Sequence, residues 1–290
     1  MTVLKNTYLT MELSEHGAEL ISIKDMEGQE YLLKDKKYWG YSAPHLFPVV
    51  GALNQSQLIH QDKPYPIKRH GFARNMLFTV MEQSETKISF LLESSEETLL
   101  MYPFNFRFIV EYTLEGKKIT ISYKTENTGD TDLGYSVGAH PAFLAPRAKN
   151  ESFTDYYLEF QHTEDLFTIA IDTQTGLLKR SKSHFGKGIK IIDLKKSLFS
   201  EDALIFHNLK SEYMSLKSRK SNKEVRFHIK EFPFLGIWTT LGDSPFICIE
   251  PWVGHADFED FHGEFMEKED NVILKPKETK AHTYSIEVRY

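Results

Sequence analysis

Apolar side chains recur at every second position over much of the chain. Phe106, Phe108, Val110, Tyr112 and Leu114 alternate with mostly polar neighbours, Glu115-Gly116 follows, and Ile119, Ile121 and Tyr123 alternate again. One face of such a run meets a core and the other meets water, and a glycine supplies the positive φ of a tight turn, so the segment predicts a β-hairpin. Phe78 and Val80, then Ile88, Phe90 and Leu92, flank the polar Glu82–Lys87 in the same way. Leu9, Met11 and Leu13 precede His16-Gly17, with Ile21 and Ile23 after it. Val225, Phe227 and Ile229 form another run, as do Tyr284, Ile286 and Val288. Helical periodicity is confined to Glu96–Met101 and Ser197–Phe206, each enough for a turn or two. Many short strands without intervening helices predict an all-β sandwich or barrel, not a βαβ fold.

No internal repeat, low-complexity tract or Gly/Ser linker interrupts the 290 residues, so residues 1–290 are expected to form a single large β domain. With 41% hydrophobic and 26% charged residues the composition is that of an ordinary globular protein. The one cysteine, Cys248, excludes an internal disulfide and fits a reducing compartment. A net charge of −6 argues against nucleic acid as the main partner. No basic start followed by an apolar run and no 18-residue apolar stretch is present, so a cytoplasmic protein with no membrane partner is expected. The aromatic content suffices for a core plus an interface, which leaves a homodimer open.

Four segments break the strand pattern: Ala43–Leu53 (APHLFPVVGAL), Arg69–Asn75 (RHGFARN), Gly138–Phe143 (GAHPAF) and Ile249–Asp257 (IEPWVGHAD). Each combines His or Glu with Pro, Gly or an aromatic. Proline removes a ladder donor and glycine gives up packing, so such strands end or bulge, and bulges re-aim side chains toward ligands. Each segment read alone has a plainer meaning. His70 fits a turn cap and Arg74 a surface ion pair. His140, in an apolar setting, is either a site group or a satisfied core histidine. Glu250 closes the buried-type run Phe246–Ile249, so it sits at an exposed strand end or in a site. Asp202 or Ser200 fits a helix N-cap. His45, His255 and Asp257 fall within or beside the motifs and fit a cleft rim without a definite role.

Taken together, the four segments resemble the aldose 1-epimerase (mutarotase) superfamily, and most of all its branch of galactose-mutarotase-related proteins. His70–Asn75 also resembles the hexose-6-phosphate epimerase branch. The resemblance runs from the Leu46-Phe47-Pro48 segment to the end of the chain, with the order His, His, Glu. It implies a large antiparallel β-supersandwich (the galactose mutarotase-like fold) with few short helices and a sugar cleft on one sheet face. It implies interconversion of the α and β anomers of a hexose, with Glu250 as general base, His140 as general acid and His70 assisting at the ring oxygen. Arg74 and Asp202 would bind the substrate, and Trp252 and Phe143 would offer apolar faces to sugar C–H groups.

The chemistry suits those residue types. Opening a hemiacetal needs one group to take the C1 hydroxyl proton and another to protonate the ring oxygen, and reclosure reverses the roles. Imidazole and carboxylate can both be tuned to neutral pH. Nothing is oxidised and no group leaves, so no metal or other cofactor is required. The alternatives are a hexose-6-phosphate 1-epimerase and a non-catalytic carbohydrate-binding or regulatory protein on the same fold. Relatives often carry a cation after the glycine of the LFP segment, whereas Gly51 is followed by Ala52. Arg74 alone is thin provision for a phosphate dianion, so a neutral sugar is favoured. A metal enzyme would need His60, His70, His140, His207 and His255 to converge, and no metal-binding spacing is present.

Overall fold

The computed structural model describes residues 1–290. The hairpin expected from the alternation is there: Phe106–Glu115 pairs with Lys118–Asn127 across Gly116, which adopts φ 57°. On this hairpin Phe106, Phe108, Val110, Tyr112, Ile119, Ile121 and Tyr123 are all fully buried, while the intervening residues are mostly partly exposed.

These two strands lie inside a nine-stranded sheet. Its order runs Leu178–Asp193, Tyr156–Ile171, Tyr213–Ser218, Ser221–His228, Thr279–Arg289, Lys118–Asn127, Phe106–Glu115, Lys87–Glu93, Thr79–Gln83. A six-stranded sheet runs Leu204–His207, Phe234–Trp238, Phe246–Val253, Val137–Ala139, His45–Leu46, with Ala142–Leu144 also paired to Phe246–Val253. Smaller sheets complete an antiparallel β-supersandwich, including Thr2–Lys5, Leu9–Leu13 and Leu20–Asp25. Helix is limited to one turn at Glu96–Leu99 and five short 3-10 turns, and no helix is long and apolar enough to cross a membrane.

The main core is a cluster of 63 buried residues drawn from both large sheets. The stacked pair Phe47 and Phe108, with ring centroids 4.1 Å apart, ties the Leu46-Phe47-Pro48 segment to the large sheet. Within this core His45 is fully buried, with ring contacts to the hydroxyls of Tyr123 (2.8 Å) and Tyr112 (2.7 Å). Burial lowers its pKa to about 4, so it is neutral. It is a satisfied core histidine and does not reach a cleft rim.

Two details differ from the sequence pattern. A register shift between Glu12 and Leu13 swings Ile21 out of the core, while Ile23 stays in it. Of Ser197–Phe206, only a 3-10 turn at Lys196–Phe199 forms. The chain then reverses through Asp202 (φ 80°), and Leu204–His207 joins the six-stranded sheet. No helix follows Ser200 or Asp202, so neither is an N-cap.

Phe108→Ala removes a fully buried ring from between the sheets. It should cost about 3–5 kcal/mol, measured by urea denaturation.

Candidate active site

The six-stranded sheet divides its side chains by parity. On Phe246–Val253, Ile247 and Ile249 enter the main core, whereas Cys248, Glu250 and Trp252 take the opposite face. On Phe234–Trp238, Leu235 and Ile237 point inward, and Gly236 and Trp238 belong to the other face. On Val137–Ala139, Val137 and Ala139 point inward, so the next residue outward is His140. That outer face carries a cavity of about 340 Å³, near the lower end of the roughly 300–1,000 Å³ that small-molecule sites span.

At its base His140 Nε2 lies 3.1 Å from Glu250 Oε2. His140 is 7% exposed and Glu250 1%. Burial drives the Glu250 carboxyl well above its ordinary 4.5, with Arg69 opposing and Asp202 reinforcing the shift. Burial drives the His140 imidazole well below its ordinary 6.5, helped by the charges of Arg74 and Arg69. Both shifts have the same first cause, removal from water, and the 3.1 Å separation places the two groups within hydrogen-bond reach of one another. Trp39, with ring centroids 4.6 Å apart, and Trp238, at 5.7 Å, hold the His140 ring in place.

His70 stands 5.6 Å from His140, ring to ring, in an edge arrangement. Its backbone adopts φ 69°. Its backbone N–H donates to the Gly51 carbonyl (2.8 Å), and the Gly51 N–H donates back to His70 Nδ1 (3.1 Å). An Nδ1 that accepts has no proton, so the neutral ring carries it on Nε2. Burial, then His140, keeps the His70 pKa well below 6.5. Gly51 is required where it is: a Cβ there would lie 2.4 Å from Ala256 Cβ.

Trp252 lines the cavity in a slot made by two glycines. A Cβ on Gly138 would fall 2.5 Å from Trp252 Cδ1, and one on Gly236 would fall 2.5 Å from Cζ2. These neighbours sit on the two strands flanking Trp252, so the indole spreads along the sheet. Its N–H has no hydrogen-bond partner.

The mouth is charged. Asp202 lies 3.8 Å from Arg69. Arg74 donates from Nη2 to the Arg69 carbonyl (2.8 Å) and stands 5.0 Å over the Tyr41 ring. It is no surface ion pair: it makes none, and its Nε has no partner. Burial lowers its pKa.

His70, Arg74, His140, Asp202, Glu250 and Trp252 thus share one cavity. Phe143 does not join them. It is odd in the same parity, pairs with Ile247, and packs edge-on against Phe227 in the main core at 4.7 Å. His255 and Asp257 flank Ala256, which lines the cavity, but are not at its rim. The His255 ring donates from Nδ1 to the Ala256 carbonyl (2.6 Å) and contacts Asp270 (3.2 Å) beside a separate cavity. Asp257 pairs with the buried Lys268 (3.4 Å) and accepts from the Asn54 N–H (2.8 Å). His60, His207 and His255 do not converge with His70 and His140.

The sequence reading missed Trp39, Tyr41, Trp238 and Arg69. Trp39 and Tyr41 precede the LFP segment as a local run of aromatics, a usable signal. Trp238 enters through its pairing with Cys248, which nothing local announces. Arg69 adds a second cation. A Cβ on Gly176 would lie 3.2 Å from Arg69 Nη1, so the glycine leaves room for this guanidinium.

The chain belongs to the aldose 1-epimerase family, whose model matches residues 1–286. Protein LacX of Lactococcus lactis subsp. lactis, in its chromosomal and plasmid forms, is 38% identical over 298 aligned positions, covering 99% of each chain. The X-ray structure of a galactose mutarotase related enzyme from Lactobacillus acidophilus superposes with a TM-score of 0.95 at 31% identity, over 100% of this chain and 97% of that one. A galactose mutarotase-like protein from Lactobacillus casei gives 0.93 at 28% identity over the full length of both.

Gly236→Ala should push the Trp252 indole off the sheet. Intrinsic fluorescence should shift and sugar affinity should fall by at least about tenfold, the equivalent of one lost packing contact. Unchanged binding would remove the indole from the substrate surface.

Proposed function

We propose that the protein interconverts the α and β anomers of an aldose by opening and reclosing the pyranose ring. The observation that carries this reading is the 3.1 Å contact between His140 and Glu250 at the base of an aromatic-lined cavity. A buried acid–base pair has a cost to stability, since neither group is solvated. Binding alone would need only the tryptophans and the polar rim.

In this reading the oxygen edge of the ring displaces the direct contact and takes its place between the two groups. Glu250, as carboxylate, accepts the C1 hydroxyl proton, and His140, as imidazolium, donates to the ring oxygen. The C1–O5 bond breaks to a free aldehyde, the C1–C2 bond rotates, and closure runs the transfers backwards. One proton shared by the pair suffices, because opening and closing exchange the roles. His70 offers its Nε2–H to the same oxygen edge. Trp252 supports the sugar's C–H face, and Asp202 and the arginines meet its hydroxyls.

A second reading has a specific observation behind it. Two guanidiniums, Arg69 and Arg74, line the cavity where one was expected, and Arg74 makes no ion pair. Paired arginines are what a phosphate dianion recruits, so a hexose 6-phosphate is the alternative substrate. The free sugar stays first because Asp202 already neutralises Arg69.

Glu250→Gln should slow anomeric exchange, followed by NMR of the anomeric protons, by at least about 100-fold, the lower bound for a positioned acid–base group. Its melting temperature should not fall, since the amide relieves the burial of a carboxyl group. Wild-type exchange in this variant would remove Glu250 from the role, and sugar binding by the wild type without exchange would favour a carbohydrate-binding module.

Arg74→Met separates the two substrates. If the free hexose is the substrate, KM for glucose should change by less than about tenfold, and glucose 6-phosphate should bind no better than glucose in the parent. A preference for the phosphorylated sugar in the parent, lost in the variant, would establish the second reading.

A further inference from the structure

Cys248 is fully buried on the same strand face as Glu250, two residues before it. It belongs to a small cluster with Leu33, Ala142 and Phe246, against which Trp39 and Trp238 pack, and it does not line the cavity. The catalytic scheme above makes no use of it. Yet its sulfur, a ring nitrogen of His140 and a carboxylate oxygen of Glu250 all lie within 4.8 Å of one another. His140 Nε2 already meets Glu250 Oε2 at 3.1 Å, in a side chain more than nine-tenths buried.

We propose that Cys248, His140 and Glu250 form a binding site for a thiophilic divalent cation, Zn²⁺ by its chemistry, and that occupancy shuts down anomer exchange. The inhibitory half of this statement rests on the functional reading above, whereas the binding half does not. Sulfur, imidazole and carboxylate are the donor types zinc takes, and with His140 and Glu250 at the cavity and Cys248 behind them a fourth position is left for water. Ligand atoms around tetrahedral zinc stand about 3.3–3.7 Å apart. The nitrogen and oxygen are already at 3.1 Å. Bringing in the sulfur needs a movement of about 1 Å, within reach of side-chain rotation.

Charge decides whether the site can fill. Arg69 and Arg74 act on the pair and oppose a dication. Coordination expels the thiol proton, and any proton on Glu250, to water through the cavity. Thiolate and carboxylate then cancel the two positive charges of the ion. No electron moves. Both proton-transfer groups become ligands, so neither can serve the sugar.

The test uses the full chain. Titration with CoCl₂ should produce a thiolate-to-cobalt charge-transfer band that saturates at one equivalent and is abolished by ZnCl₂. The chain has one cysteine, so the band reports Cys248 alone. Cys248→Ser should lack the band and, without metal, exchange anomers as the parent does. The Zn²⁺ concentration that halves exchange should rise in this variant by more than the roughly 10–100-fold that losing a metal's outer-shell partner costs. Cys248→Ala is the second variant if the serine form does not fold. Absence of the band, a band without inhibition, or equal inhibition of the parent and the cysteine variants would each overturn the proposal. Should the parent show no anomer exchange at all, the functional reading fails, and the cobalt band still decides the site.

Discussion

The register of one strand governs everything at the site. Phe246–Val253 is buried along its whole length, so hydrophobicity alone does not distinguish its two faces. What distinguishes them is pairing. Leu235 opposite Pro251 and Ile237 opposite Ile249 lock the odd positions into the main core. Cys248, Glu250 and Trp252 are then forced to the other side. A shift of one residue would exchange the two sets completely, driving the Glu250 carboxyl into the 63-residue core and Ile249 into the cavity. The glycine slot for Trp252 adds a second lock, because Gly138 and Gly236 admit the indole only in this alignment.

The same register explains why ionisable groups tolerate such deep burial. Removing a carboxyl and an imidazole from water is unfavourable unless they are paired. Here they satisfy each other, and flanking tryptophans hold the imidazole where the carboxylate needs it. The cost is carried by the sandwich behind them, whose aromatic core joins both large sheets. The equally buried His45 is a contrast. His45 is satisfied by two tyrosine hydroxyls and is sealed in, so its neutrality is structural. His140 keeps one nitrogen unpartnered at a cavity wall.

Much of this architecture is legible in the sequence, for a physical reason. Strands with one wet face, such as Phe106–Glu115, write their orientation as a period of two. Strands buried on both faces do not, and there the motifs served instead: His70, Arg74, His140, Asp202, Glu250 and Trp252 were all named from composition breaks and resemblance, and all line one cavity. Phe143 was misplaced because GAHPAF shows no alternation, and its neighbour relations come from a strand a hundred positions away. Trp238 escaped for the same cause. Ser197–Phe206 misled because a helical period in a short segment loses to sheet pairing once a residue takes a left-handed conformation.

That left-handed geometry has a consequence for any attempt to make the protein hardier. His70 (φ 69°) and Asp202 (φ 80°) both hold polar side chains at the cavity in a backbone region that suits glycine. Glycine at either position would relieve that strain, at His70 against the loss of the hydrogen bond its Nδ1 accepts from the Gly51 N–H. Either change would also remove a polar group from the cavity wall, so hardiness gained there comes with a barer cleft.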